Sequence, residues 1–312
     1  MTEAGVAISV VIPVYNEAES LVELHAALVA SLLPYADRYE LIFVDDGSTD
    51  GSFERLRAIW EQDKRIRVVR FRRNYGKAAA LAAGFREAHG GIVVTLDADL
   101  QDDPKEIPRF LQKLEEGYDL VSGWKAERND PWSRRFLSAV FNRITSRLTG
   151  LKLHDFNCGF KCYRRAVIDE IRLYGELHRF IPALASWRGF RIGEIKVGHH
   201  PRKYGQSRYG AERIPRGFFD LLTILMLTRY TTRPLHLFGL LGFFVGLTGF
   251  GIVAYLSIGW LFGKWIGARP LFILGTLMVI AGIQLVSFGL LAEMIVYGSN
   301  REGDPPVELV LK

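Results

Sequence analysis

Apolar positions along the chain change their period several times, and each change marks an element. Short β-branched runs at Ile8 to Val14, Glu40 to Val44, Ile66 to Phe71, Ile92 to Leu96 and Asp119 to Ser122 read as strands. Between them the spacing turns helical, as in Leu21, Leu24, Leu28 and Leu32. Strands alternating with helices predict an α/β fold with a doubly wound, mostly parallel sheet. Beyond about residue 130 the pattern shifts. Residues 131–148 place Phe136, Leu137, Val140, Phe141, Ile144 and Leu148 on one helical face, with Arg134, Arg135, Arg143 and Arg147 elsewhere, so an amphipathic helix is expected there. Residues 213–233 are more apolar and lead into two stretches, 235–262 and 270–297, that are nearly free of charge. Each is long enough for a hydrocarbon core, which needs about 20 apolar residues. The expected organisation is a domain over 1–212 that includes the amphipathic helix, an interface helix at 213–233, a transmembrane hairpin over 234–298 and a tail at 299–312.

Composition refines this picture. The 312 residues carry a formal charge of +6 and a pI near 9.3, which suits nucleic acid or an anionic membrane surface; with two spans, the bilayer is the expected partner and nucleic acid is not. The connection Gly263-Lys-Trp-Ile-Gly-Ala-Arg-Pro270 is short, so both flanks of the hairpin should lie on one side. Strand-like residues begin almost at once, with no cleavable signal before them, so the large domain is expected in the cytoplasm and the protein in the inner (cytoplasmic) membrane as a multi-pass protein. Positive-inside counting agrees in part: Arg229, Arg233 and Arg301 lie inside, Lys264 and Arg269 in the outer turn. Cys158 and Cys162 have no second pair to complete a zinc site and are expected to be buried thiols.

The chemistry concentrates where strands run out. Asp97-Ala98-Asp99-Leu100-Gln101-Asp102-Asp103-Pro104 follows the apolar run Ile92 to Leu96. Carboxylates at i and i+2 in such a loop can converge on a hard divalent cation, Mg2+ or Mn2+, which brings a diphosphate with it. The competing explanation is a helix N-terminus attracting acids through its dipole. Val11-Ile-Pro-Val-Tyr-Asn-Glu17 and Val44-Asp-Asp-Gly-Ser-Thr-Asp50 should emerge at the same sheet edge, since parallel strands point their carboxyl ends one way. No G-x-G-x-x-G follows the first strand and no G-x-x-x-x-G-K-[ST] occurs, which argues against dinucleotide and P-loop chemistry.

These segments, together with Arg73-Asn-Tyr-Gly-Lys-Ala78, Asn157-Cys-Gly-Phe-Lys161 and Arg202-Lys-Tyr-Gly-Gln-Ser-Arg-Tyr209, strongly resemble the inverting family 2 glycosyltransferases of the GT-A fold. Within that family the chain is most similar to the polyprenyl-phosphate (dolichol-phosphate type) sugar transferases with two membrane helices. The resemblance implies that Pro13, Tyr15, Glu17, Asp45, Asp46 and Ala98 belong to the nucleotide-sugar site. It further implies that Asp97, Asp99 and Gln101 hold the metal and donor diphosphate with Lys77 nearby, and that Lys125, Arg135, Ser138 and Arg202 receive the acceptor phosphate. Lys125 stands where the family often carries arginine, which removes bidentate contact. A homo-oligomer, a tetramer by resemblance, is also implied.

An acceptor phosphate is already ionised near neutral pH and needs no strong base, so leaving-group stabilisation by the metal should outweigh acid or base catalysis. Besides Asp99, the candidate catalytic residue is Asp155, as a carboxylate near the reacting centre or, equally, a loop cap. His199 and His200 lack an acidic partner at useful spacing and read as loop or interface residues. Glu293, costly in lipid, is a functional candidate or a headgroup or inter-subunit contact. The expected reaction transfers one sugar, UDP-glucose being the first choice of donor, to a polyprenyl phosphate with inversion. Alternatives are GDP-mannose or another UDP-sugar, a processive polysaccharide synthase, for which the Q-x-x-R-W element is missing, and a non-catalytic membrane scaffold.

Overall fold

β1 (Ile8–Val14) and β2 (Tyr39–Asp45) pair in parallel along their whole length, from Ile8 opposite Tyr39 to Val14 opposite Asp45. They are the centre of the computed structural model, which describes residues 6–35, 38–126, 142–143, 145–147, 149–171, 173, 177–201, 203–204, 233–263, 265 and 270–299, with Thr223, Met226 and Tyr230. β3 (Ile66–Arg70), β4 (Ile92–Thr95), β5 (Leu120–Trp124), β6 (Lys161–Arg164) and β7 (Ile192–Lys196) complete a seven-stranded sheet in the order β3-β2-β1-β4-β6-β5-β7. β6 alone runs antiparallel, to both β4 and β5. The five strands expected from periodicity are present within two residues at either end. β6 and β7, four and five residues long with polar positions inside, were not expected as strands.

Alternation along each strand sorts its side chains to two faces. Val10, Ile12, Val14, Leu41, Phe43 and Val94 pack under α1 (Leu21–Leu32), α2 (Ser52–Gln62) and α4 (Ile107–Glu115). Val11, Ile42, Val44, Val93 and Tyr163 pack under α3 (Lys77–Glu87), α5 (Arg165–Glu170) and α6 (Ile181–Trp187). α3 lies very close to the sheet because Gly84 has no side chain: a Cβ there would be 2.2 Å from Val11 Cγ1. The two sheet edges differ in polarity. At the amino-terminal edge the buried Glu40 accepts the Ser9 hydroxyl at 2.6 Å and the His89 amide at 2.7 Å, so its cost is offset locally. The carboxyl-terminal edge carries Asp45, Asp46 and Asp97, and strand order reverses direction between β1 and β4, which opens a crevice above that edge.

The chain divides into two compact units, 1–224 and 225–312. The second holds α7 (Pro234–Leu261) and α8 (Pro270–Ser299), of mean hydropathy 2.1 and 2.3 over their most apolar stretches, each stretch only 11% buried. A core helix of a soluble protein would be mostly covered, whereas these expose apolar residues along their length, as a bilayer requires. Glycine lets them touch. A Cβ on Gly282 would meet Gly246 Cα at 2.6 Å and the Gly242 carbonyl at 2.7 Å, the close approach that small residues allow between membrane helices. Glu293, whose cost in lipid invited a functional reading, accepts the Leu235 amide at 3.1 Å and so caps the first turn of α7. Of the expected amphipathic helix 131–148, Asn142, Arg143 and residues 145–147 are described, and they are helical; the interface helix 213–233 lies almost wholly outside the described residues.

Because α3 brings Lys77 to the crevice, its seating on β1 is testable. Gly84→Val should overpack this contact and destabilise the first unit by about 1–3 kcal/mol, read as a lower thermal midpoint of the detergent-solubilised protein. An unchanged midpoint would show that α3 can lift without loss.

Candidate functional site

The loops after β1 and β2 are laced to each other before they reach any ligand. Asn16, in the left-handed region at φ 56°, donates its amide to Ser48 Oγ at 2.9 Å and accepts the Thr49 amide on Oδ1 at 2.7 Å. The Glu17 amide reaches Ser52 Oγ at 2.9 Å, and the Ala18 amide reaches Asp50 at 3.1 Å. Tyr15 stays exposed beside this lattice, and Pro13 is half-buried. The fully buried Ser20 hydroxyl donates to the Ala98 carbonyl at 2.7 Å and joins the first loop to the acidic one.

Asp45 and Asp46 serve the crevice from beneath. Asp45 is fully buried, accepts the Ser48 amide at 2.9 Å and lies 3.6 Å from the Arg70 guanidinium. Asp46 accepts the amides of Tyr75 and Gly76 at 2.7 and 2.9 Å, one on each oxygen. Burial raises the Asp46 carboxyl above its usual range, against the lowering effect of those two amides. Gly76, at φ 92°, then starts α3, whose first residue is Lys77. The two carboxylates thus shape the crevice floor and the approach of Lys77.

Lys77 pairs with Asp97 at the end of β4, both side chains about one quarter exposed. Burial pushes the Asp97 carboxyl up, but Lys77 and Lys125 outweigh it and hold Asp97 well below the ordinary carboxylate range. Asp97 is therefore ionised throughout the physiological range. A glycine leaves room for the pair: a Cβ on Gly159 would be 2.8 Å from Asp97 Oδ2 and 2.9 Å from Lys77 Nζ, so the pair would have to shift. Thr95 Oγ1 fixes that glycine by donating to its carbonyl at 2.8 Å.

The rest of the acidic loop divides its labour. Leu100 takes a left-handed conformation, φ 59°, between Asp99 and Gln101, a local cost that over-determined sites tolerate. Asp99 accepts the Gln101 amide at 3.2 Å. Asp103 caps the 3-10 turn Pro104–Glu106 through the Lys105 amide at 3.0 Å, so helix capping accounts for this acid and not for Asp97 or Asp99. Asp102 is fully buried against Lys125 at 2.7 Å. Burial works against the Lys125 charge, yet the Asp102 carboxylate more than restores it and keeps the ammonium protonated. Lys125, grouped with the acceptor phosphate by resemblance, is thus committed to Asp102. After β7 the chain returns over this loop: the backbones of His199 and Asp102 pair in an isolated antiparallel β-bridge, the His200 amide donates to the Gln101 carbonyl at 2.9 Å, and Lys203 pairs with Glu23 at 2.7 Å.

Behind Asp97 lie groups that no local motif announces. Lys161 is buried and donates to the Cys158 carbonyl; burial, then Lys77, lower its pKa, while Cys158, Asp155 and Asp97 oppose the shift. His178 is kept neutral: burial first, then Lys77, Arg179 and Lys161, push it down to about 2. Asp155 is buried and accepts the Asn157 amide at 3.1 Å. Both cysteines are free and buried as expected, and burial raises the Cys158 thiol to about 12. The structure therefore gathers Asp97, Lys77, Gly159, Lys161, Asp155 and Lys125 in one region. Arg135, Ser138 and Arg202 lie outside the described residues. Among the described residues no three His, Cys, Asp or Glu side chains could hold a metal ion by themselves. Asp97, Asp99 and Gln101 carry side-chain oxygens, the donor type that Mg2+ and Mn2+ take.

Residues 9–172 match the family described as Glycosyl transferase family 2. The chain is 39% identical over 309 residues to dodecaprenyl-phosphate galacturonate synthase of Rhizobium johnstonii, covering 97% of this chain and 91% of that one. It is 40% identical over 291 residues to undecaprenyl-phosphate 4-deoxy-4-formamido-L-arabinose transferase of Pseudomonas aeruginosa, covering 92% and 84%. Among solved structures, glucosyl-3-phosphoglycerate synthase of Mycobacterium tuberculosis, in complex with Mn2+, uridine-diphosphate-glucose and phosphoglyceric acid, superposes with a TM-score of 0.55 at 23% identity over 72% of this chain and 80% of that one. At that identity the likeness establishes the fold.

The buried Lys125 and Asp102 pair predicts its own variant series. Lys125→Met should leave an uncompensated carboxylate and cost about 3–5 kcal/mol, while Lys125→Met with Asp102→Leu should recover most of it, as measured by thermal unfolding in detergent. Equal loss in the single and double variants would show that packing, not charge, holds this corner.

Proposed function

Because the chain belongs to glycosyl transferase family 2, we propose that this glycosyltransferase moves a single sugar from a nucleotide diphosphate donor to a polyprenyl phosphate. The transfer inverts the anomeric carbon, and the product is a β-linked polyprenyl-phospho-sugar. One observation carries the reading: a match along nearly the whole chain to two polyprenyl-phosphate sugar transferases coincides with an acidic crevice kept open at the β1 and β4 ends. The two membrane-length helices are the anchor, with the crevice on the cytoplasmic side and a homo-oligomer as the assembly.

Asp97, Asp99 and Gln101 would hold Mg2+ or Mn2+, and that ion would offset the diphosphate charge as the leaving group departs. Lys77 places a second positive charge against the same phosphates. Tyr15, Pro13 and Glu17, set by the lattice between the first two loops, line the side toward base and ribose, while Asp45 and Asp46 support that side from below. Arg135, Ser138 and Arg202 are assigned to the acceptor phosphate, whose ionised oxygen is the nucleophile, while Lys125, grouped with them by resemblance, adds its charge to that region from its pair with Asp102. Asp155 faces the reacting centre. The sugars named in the two relatives, a uronic acid and a formamido pentose, favour a UDP-activated sugar bearing a polar or acidic substituent over UDP-glucose.

The test is incubation of the purified protein with Mn2+ or Mg2+, short-chain polyprenyl phosphate and labelled UDP-galacturonate, UDP-glucose, other UDP-sugars and GDP-mannose. Label should enter the organic phase from one donor, one sugar per lipid, and Asp99→Ala should reduce that transfer at least ~100-fold. Polymer formation would indicate a processive synthase, absence of nucleotide binding a scaffold, and wild-type turnover by Asp99→Ala would remove the metal assignment.

A further inference from the structure

One carboxylate outside the acidic crevice makes more contacts than a loop requires. Glu194, in β7, has its side chain 13% exposed. Its Oε1 accepts the amides of His154 and Asp155 at 2.9 and 3.1 Å, and its Oε2 accepts the same His154 amide at 3.2 Å and the His154 ring Nδ1–H at 2.7 Å. The His154 ring, itself mostly exposed, stacks on Trp124 with ring centroids 4.1 Å apart and planes 17° from parallel. From the other side Asn142 Nδ2 donates to the His154 carbonyl at 2.7 Å. The peptide unit between His154 and Asp155 is therefore held by charge-assisted hydrogen bonds that are stronger than neutral ones. Asp155 continues the turn by accepting the Asn157 amide, and from there the chain reaches Gly159 beneath Asp97.

We propose that Glu194 is a positioning residue for the transfer: by clamping the amides of residues 154 and 155 it fixes where the Asp155 carboxylate stands relative to Lys161 and the Asp97 pair. Glu194 touches no substrate and acts through Asp155. The proposal rests on the reading above that Asp155 faces the reacting centre. Its physical basis is geometric sensitivity, since a displacement of about 1 Å at a reacting group can cost ~100-fold in rate. The donor loops after β1, β2 and β4 make no contact with Glu194 among the described hydrogen bonds, so nucleotide binding should be spared.

The experiment uses the full-length protein in detergent with short-chain polyprenyl phosphate and the labelled nucleotide sugar that transfers. Glu194→Ala should lower kcat ~30–100-fold, while UDP affinity in the presence of Mn2+ stays within about twofold by calorimetry. Glu194→Gln retains one oxygen acceptor for the two amides and should stay within ~10-fold of wild type; it also serves where the alanine variant fails to fold. In an Asp155→Asn background, Glu194→Ala should add less than ~3-fold, because coupled residues are not additive. Hydrogen exchange of a peptide covering residues 154–157 should accelerate in Glu194→Ala. Wild-type kcat in Glu194→Ala together with a damaged Asp155→Asn would overturn the positioning role alone, as would full multiplicative loss in the double variant or unchanged exchange. Wild-type kcat in Asp155→Asn would instead overturn the reading beneath it.

Discussion

The ion pair between Lys77 and Asp97 is the interaction on which the rest of the crevice depends. Its two members come from different constructions. Asp97 is delivered by β4, a central strand buried in the middle of the sheet, so its backbone has little freedom. Lys77 is delivered by the first turn of α3, and α3 is set twice: by Asp46, which grips the amides of Tyr75 and Gly76, and by Gly84, which lets the helix lie against Val11. Gly159 leaves the room in which the pair meets. A repulsive like-charged neighbourhood would scatter these groups; here Lys77 faces Asp97 and Lys125 faces Asp102, so opposite charges hold one another in place.

Much of this was legible from local pattern. Periodicity found five strands, four of which build the parallel half of the sheet, and the acidic runs after three of them pointed to one edge because parallel strands share a direction. Resemblance supplied the fold family and the reaction class. What stayed hidden depends on contacts far apart in sequence. β6 and β7 are short and carry lysine, arginine or glutamate within them, and they become strands only because β4 and β5 offer open edges to pair with. Asp102 looked like one more member of an acidic loop until Lys125 closed on it, and Glu194 belongs to no motif and gains its role only from the His154 turn that folds back over β7. His178 lies in a 3-10 turn with no motif of its own, and only the packing of that turn beside α3 brings it near Lys77.

The buried charges divide into two kinds. Glu40 at the amino-terminal edge and Asp63, gripped by Arg65 and His25, have partners that satisfy them within the fold and leave nothing for a ligand. At the carboxyl-terminal edge the pairs are incomplete in a useful way: Lys77 and Asp97 are partly exposed, and each could exchange its partner for phosphate or cation at small cost. Buried ion pairs add little net stability relative to apolar packing, so their retention at Lys125 and Asp102 fits a need for fixed geometry around the site.

The cap that Glu293 provides has a consequence for how the protein is made. Proline at 234 has no N–H to satisfy, so the exposed donor at the start of α7 is the Leu235 amide, and its acceptor is supplied 58 residues later in the chain. A first span leaving the ribosome alone would carry that donor unsatisfied, and a second span alone would carry a bare carboxylate near its end. Each defect cancels the other only when both helices stand side by side. The contact therefore ties the start of the first span to the end of the second, and it exists only once both spans are in place.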